Sequence, residues 1–152
     1  MRINIVAIGK IKERYFSDAI SEYIKRCSRY CDVRIIELPD APQGKTPDEQ
    51  RRIESALLLE KAAGYVVATD VGGEQVSSES LAATIKSKGV EGAKEISFLI
   101  GGSHGHTAAL LARADAVVSF GKITLPHQLF RVVLAEQIYR ALTINANLPY
   151  HK

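Results

Sequence analysis

Residues 95–105 read EISFLIGGSHG. The first six are apolar or β-branched in the main and predict a buried strand, which Gly101 and Gly102 end. A glycine-rich turn at the end of a strand serves several chemistries, and the rest of the chain decides among them. Gly101, Ser103 and Gly105 spell a literal G-x-S-x-G, the signature of the strained turn that exposes a hydrolase's serine. Later residues even supply partners in the required order: Asp115, then His127 or His151. Asp115, however, follows Ser103 by only twelve residues, too soon for a partner that should come after further strands. No earlier glycine-rich segment is present to build an oxyanion hole, so serine hydrolysis is the weakest reading. A phosphate-binding loop fares no better, because there is no G-x-x-x-x-G-K-[ST] and the first strand ends in a single glycine, VAIGK. What remains for Gly101 and Gly102 is close backbone approach to a ligand, or simply a positive φ.

Working outward, strands and helices alternate. RINIVAIG (2–9) is an apolar, β-branched strand. Residues 13–29 carry apolar side chains at Phe16, Ala19, Ile20, Tyr23, Ile24 and Cys27, the spacing of an amphipathic helix. VRIIEL (33–38) is a second strand, and PDAPQGK (39–45) a loop. In TPDE (46–49), Thr46 caps a helix, Pro47 fits its first turn and Glu49 completes a capping box; the helix should reach about Ala63. YVVATD (65–70) is a third strand closed by Gly72-Gly73, and residues 77–88 form a short helix stopped by Gly89. After the glycine turn come a helix near 107–113 and a fifth strand, AVVSF (116–120). Pro126 opens a long helix through about Ile144 that is apolar on nearly every face, so the sheet, a partner subunit or both must cover it.

This alternation predicts an α/β fold, a mainly parallel sheet with helices on both faces, formed by 1–152 as one domain. In such sheets ligands bind outside the carboxyl ends of the strands. Three strand-end loops have suitable content: Thr69–Gly73, the glycine turn and Phe120–Leu125.

Composition is that of a soluble globular protein, 46% hydrophobic and 24% charged. The apolar stretch INIVAIG is too short for a signal-peptide core or a membrane span, so a cytoplasmic location is expected. Cys27 and Cys31 have no second Cys/His cluster beside them, and a metal site is not expected. The net charge of +3 falls entirely in the tail, where Lys122, Arg131, Arg140 and Lys152 face one acid, Glu136. A basic end suits a polyanion such as RNA; a solvated face explains it equally well.

The combination of FLIGGSHG, the segment FGKITLPHQLFRVVLAEQIYRA and the ending PYHK resembles the ribosomal RNA large subunit methyltransferase H family, a SPOUT-class family of S-adenosylmethionine-dependent enzymes. The resemblance extends from MRINIVAIGKIKERYF to the last four residues, and its most specific parts are LPH-x-L-x-RV-x-x-AEQ-x-YRA and PYHK. It implies a C-terminal trefoil knot, which pattern reasoning would not propose because knots are nearly absent from proteins. It also implies a homodimer, no metal, and methylation at N3 of a pseudouridine in 23S rRNA on the assembled ribosome. Carried over by position, the donor contacts fall at Thr69, Gly101 and the run Phe120, Gly121, Lys122, Ile123, Thr124 and Leu125. Thr69 departs from the pattern, where leucine is expected.

Methyl transfer to an imide nitrogen needs an oriented base and a way to lose the N3 proton. Arg140, Tyr150 and His151 are the catalytic candidates: a cation for a developing imide anion, an aromatic face for stacking, and a side chain that titrates near neutrality. Glu136 and Arg140, four apart, also fit a plain helical ion pair, and a frayed terminus would leave Tyr150 and His151 idle. Arg131 and Lys152 are the candidates for RNA phosphate, and His127 for supporting the donor loop. Two alternatives stand beside this expectation: a SPOUT-class methyltransferase with another RNA target, and a non-enzymatic ribosome-associated RNA-binding dimer.

Overall fold

The computed structural model describes residues 1–152. Its elements in chain order are β1 (Arg2–Ile8), α1 (Arg14–Cys27), β2 (Asp32–Leu38), α2 (Pro47–Lys61), β3 (Tyr65–Gln75), α3 (Ser78–Val90), β4 (Glu95–Ile100), α4 (Ala108–Arg113), β5 (Ala116–Ser119) and α5 (His127–Asn145). The five strands form one sheet in the order β2-β1-β4-β3-β5, and every neighbouring pair is parallel.

Strand side chains alternate between faces, and the sequence of each central strand feeds two cores at once. Ile3, Ile5 and Ala7 of β1, with Ile96, Phe98 and Ile100 of β4, pack on one face against Cys27 of α1, Leu81 and Ile85 of α3, and Leu134 and Ile138 of α5. Val6 and Ile8 of β1 and Leu99 of β4 pack on the other face against Leu58 of α2 and Leu110 of α4. Ser97, also fully buried, donates to the carbonyl of Ala63 (2.8 Å) and accepts its N–H (2.9 Å), tying the end of α2 to β4.

Thr46 and Glu49 make the expected reciprocal cap of α2. Two expected boundaries differ. α3 passes through Gly89 to Val90, because the glycine that adopts the left-handed conformation is Gly92, at φ +88°. β3 does not stop at Gly72-Gly73 but runs on to Gln75, pairing with β5 from Val67 to Thr69 and again, after a register shift, at Glu74 and Gln75. The glycines therefore make a bulge. A Cβ on Gly73 would lie 2.8 Å from the carbonyl oxygen of Val117, so only glycine lets the strand return this close to β5. The bulge throws Asp70 and Val71 outward, and the Asp70 carboxylate accepts the N–H of Gly72 (2.8 Å) to close it.

α5 is covered largely by its own chain. Leu134, Ala135, Ile138 and Ala141 are completely buried or nearly so, and the helix lies over the sheet flanked by α1 and α3. Arg131 sits on the same inward face and is 0% exposed. One guanidinium nitrogen donates to Glu37 (2.8 Å) and to the carbonyl of Gly9 (3.0 Å), and the other to the carbonyl of Ile8 (3.0 Å). The expectation that Arg131 meets RNA phosphate is corrected here: its two Nη groups donate to the carboxyl ends of β1 and β2, Nε is buried without a partner, and none of its donors faces solvent. Burial lowers its pKa from the usual arginine value while the Glu37 carboxylate opposes the shift. Replacing Arg131 with methionine leaves a carboxylate and two strand-end carbonyls without their donor, and about 3 kcal/mol of folding stability should be lost. Urea unfolding measures it, and an unchanged midpoint would show that this anchor is dispensable.

Candidate active site

A pocket of ≈ 380 Å³ opens at the carboxyl ends of β3, β4 and β5, a volume suited to a small organic ligand. Its lining brings together all eight residues to which the family resemblance assigned donor contacts: Thr69, Gly101, Phe120, Gly121, Lys122, Ile123, Thr124 and Leu125. They come from three segments far apart in sequence, joined because β3 lies between β4 and β5 in the sheet.

Each wall has a local cause. Gly102 and Gly105 pair across a tight turn, with Gly105 N–H donating to the Gly102 carbonyl at 3.1 Å, and Ser103 and His104 form its exposed tip. Ser103 is therefore not on a strand-to-helix elbow. Asp115, its one-time partner candidate, instead accepts the N–H of Val66 at the opposite end of the sheet (2.7 Å). A Cβ on Gly101 would lie 3.2 Å from both the His106 ring and the backbone of Gly105, so any larger residue would crowd the pocket floor. On the third segment, Ser119 holds Gly121 twice, donating to its carbonyl (2.9 Å) and accepting its N–H (3.2 Å). Gly121 has φ +126°, which lets the segment turn back over the pocket. Phe120 packs edge-on against Phe130 of α5 at 5.1 Å, and His127 lines the pocket beside it.

The departure at Thr69 has a structural explanation. Its hydroxyl donates to the carbonyl of Leu99 (2.8 Å), while its own carbonyl faces the His106 ring Nε2 at 3.1 Å. A carbonyl only accepts, so Nε2 carries the proton and Nδ1, buried and without a partner, has the lone pair. Burial lowers the His106 pKa, with the Asp70 charge pulling the other way. The sequence reading gave no role to His106 or Asp70; a lone histidine after a glycine turn carries no signal that it will fold back against a strand end.

Arg140, Tyr150 and His151 form a second cluster, outside this pocket. Glu136 is its hub. One carboxylate oxygen accepts from Nε of Arg140 and from the Tyr150 hydroxyl, both at 3.0 Å, and the other accepts from Gln137 (2.7 Å). The helical ion pair thus exists and is shared with the terminal tail. Arg140 also lies 4.7 Å from the Tyr150 ring centre, and Tyr150 meets Tyr139 edge-on at 4.7 Å. Arg140 Nη1 faces His151 Nδ1 at 3.2 Å, and His151 Nε2 faces the Glu79 carboxylate at 2.8 Å. Arginine only donates and an ionised carboxylate only accepts, so the contacts select neutral His151 with its proton on Nε2. Burial, and then the bond to Glu136, pushes the Tyr150 phenol up to about 12, so it remains a hydrogen-bond donor rather than a base. The Arg140 pKa is raised, chiefly by its bond to Glu136. Lys152 is exposed at the end of the tail. Glu79, which holds His151, escaped the sequence reading because nothing local links 79 to 151.

The two groups lie on different sides of α5. At 3.6 residues per turn, His127 and Phe130 are close to the buried stripe, whereas Glu136 and Arg140 point the opposite way, and Arg140 is about 20 Å beyond His127 along the axis.

A parallel α/β sheet with a pocket of small-molecule size outside its strand ends has the arrangement in which such folds bind their ligands. A family model described as "Predicted SPOUT methyltransferase" matches residues 1–151. Among relatives, the chain is 50% identical over 159 residues to a ribosomal RNA large subunit methyltransferase H of Lactobacillus acidophilus, and 46% identical over 162 residues to one of Clostridium beijerinckii. All of each chain is covered in both cases. Among solved structures, a probable methylase family protein from Haemophilus influenzae superposes with TM-score 0.57 at 11% identity, covering 99% of this chain and 70% of that one. A tRNA methyltransferase from Aquifex aeolicus gives 0.52 at 16%, covering 99% and 72%. The chain belongs to the SPOUT methyltransferase family. It is a methyltransferase, and membership implies that its C-terminal segment carries the family's trefoil knot. No helix is long and apolar enough to cross a membrane.

The His106 assignment has a measurable consequence. Its neutral form is favoured in the fold, so below the ordinary histidine value of about 6.5 the unfolded chain binds a proton that the native state resists. Stability contributed this way is present above that pH and is lost as the pH falls through the lower native value. Melting temperature should therefore drop on going from about pH 7 to about pH 5, and drop less in His106→Gln; equal slopes would remove His106 from the explanation.

Proposed function

We propose that this protein transfers the methyl group of S-adenosylmethionine to N3 of a pseudouridine in 23S rRNA, working as a homodimer on the assembled ribosome. The observation that carries the donor is the pocket at the ends of β3, β4 and β5, ringed by the eight residues that the family pattern assigns to it. Its volume and its glycine-lined floor suit the donor, and Lys122 and Asp70 give it one charge of each sign at the rim. Ribosomal RNA as substrate is supported by relatives of that name at 46–50% identity over their whole length. The pseudouridine and the ribosomal setting follow from the family resemblance.

S-adenosylmethionine supplies an electrophilic methyl on a sulfonium. The chain's own residues must then hold the base, keep water out and handle the N3 proton. Arg140 is the cation positioned to favour an imide anion, fixed in place by Glu136. Tyr150 offers a ring for stacking and, as a protonated phenol, a hydrogen-bond donor to a base carbonyl. His151, neutral and with Nδ1 turned to Arg140, becomes a proton acceptor only when the incoming base displaces that contact.

Geometry supports the dimer. Methyl transfer requires donor and acceptor in contact, yet Arg140, Tyr150 and His151 lie on the far side of α5 from their own chain's pocket. The outward stripe of α5 that carries Glu136 and Arg140 also carries half-buried Leu129, Val132 and Val133, and Ile123 at the pocket rim is 79% exposed. A second copy packed on this apolar stripe would bring its tail to the first copy's pocket. Calorimetric titration with S-adenosylmethionine should show saturable binding that Gly101→Val abolishes. Ribosomes lacking the modification should then gain one N3-methyl group, and Arg140→Ala should cut that rate by at least about a hundredfold while donor affinity stays the same. A folded protein that binds no donor would end the proposal.

A further inference from the structure

The glycine turn is braced from outside the pocket by one face of α2. Arg51, Glu54 and Ser55 are spaced as neighbours on a helix surface, and each meets a different part of the turn. Arg51 Nε donates to the carbonyl of His104 at the tip (3.0 Å). Ser55 Oγ accepts the N–H of Thr107 at the exit (3.1 Å). Glu54, only 5% exposed, lies against the entry at Gly102: a Cβ built there would be 3.1 Å from the Glu54 carboxyl carbon and closer still to its Oε2. Oε1 of the same carboxylate accepts the N–H of Ala41 (3.1 Å), whereas Oε2 is buried with no hydrogen-bond partner. A half-satisfied buried carboxylate is costly to keep and needs a reason.

We propose that Glu54 is a positioning residue for methyl-donor binding: its carboxylate fills the space that a side chain at residue 102 would take and, with Arg51 and Ser55, sets the glycine turn at the height the pocket requires. The inference rests on the pocket being the donor site. The physical ground is entropic. Within the turn, one backbone hydrogen bond joins Gly102 to Gly105, and glycines have the most conformational freedom to lose when a ligand orders them. A helix face that holds the turn in advance removes that cost from binding. The effect belongs in donor affinity and not in the chemical step, because Glu54 faces the back of the turn.

The test is titration of S-adenosylmethionine into the full-length protein and into Glu54→Ala, Glu54→Gln, Arg51→Ala, Gly102→Ala and the double variant Glu54→Ala/Gly102→Ala, with ligand-free melting recorded for each. Glu54→Ala should weaken donor binding on the order of tenfold while kcat at saturating donor stays close to wild type. Glu54→Gln, which keeps the shape and the bond to Ala41, should restore most of the affinity. Gly102→Ala should be far more damaging beside Glu54 than in the Glu54→Ala background, so that the two effects do not multiply. Arg51→Ala, a substitution on the accessible edge of α2, should lose affinity severalfold even if Glu54→Ala fails to fold. Wild-type binding with unchanged affinity in folded Glu54→Ala or Arg51→Ala, or with simple multiplication in the double variant, overturns this inference alone. Absence of donor binding by the wild type overturns the donor site and this inference together.

Discussion

The guanidinium of Arg131, buried under α5, is the interaction on which the rest of this molecule depends. It joins the longest helix to the carboxyl ends of β1 and β2, through the carbonyls of Ile8 and Gly9 and the side chain of Glu37. A planar group with several fixed donors suits this junction, since strand ends leave carbonyls that no ladder satisfies. With that end of α5 fixed, the preceding segment 120–126 must pass over the ends of β3 and β4, and the pocket follows from its path. The far end of α5 is then available to carry other groups.

Those groups form one connected network. Glu136 holds Arg140 and Tyr150, and Arg140 and Glu79 hold His151 between a donor and an acceptor. Charged side chains held in this way keep little rotamer freedom. The pocket at the strand ends is built differently, from backbone: glycine turns, a strand bulge and a loop with positive φ at Gly121. Backbone walls let a ligand approach closely, because no side chain stands in the way.

Much of this was legible in the chain itself. Every strand and helix was expected near its observed place, because the parallel strands are continuous apolar runs and the helices carry clear caps such as Thr46 with Glu49. Glycine was the least legible signal. Gly72-Gly73 looked like the end of a strand and is a bulge within it; Gly89 looked like a stop and lies inside a helix. In each case the glycine's meaning depends on a backbone that approaches from elsewhere, as Val117 approaches Gly73. Arg131 was misjudged for a related reason: a basic residue in a basic tail suggests a polyanion, and its actual partners lie more than ninety residues away in sequence.

By itself, then, the amino-acid sequence determined the alternation of elements, the parallel sheet they form and, through the motifs at 98–105, 120–141 and 149–152, the family. These properties rest on local periodicity, capping and short-range pattern, which are written along the chain. Only the tertiary structure decided which residues meet: Thr69 with His106, Glu54 with Gly102, Arg131 with Glu37, and His151 with Glu79. It alone set Arg140 and the tail on the other side of α5 from the pocket. Such meetings are fixed by strand order and by the depth at which each helix packs, and these quantities have no counterpart in the spacing of residues along a single chain.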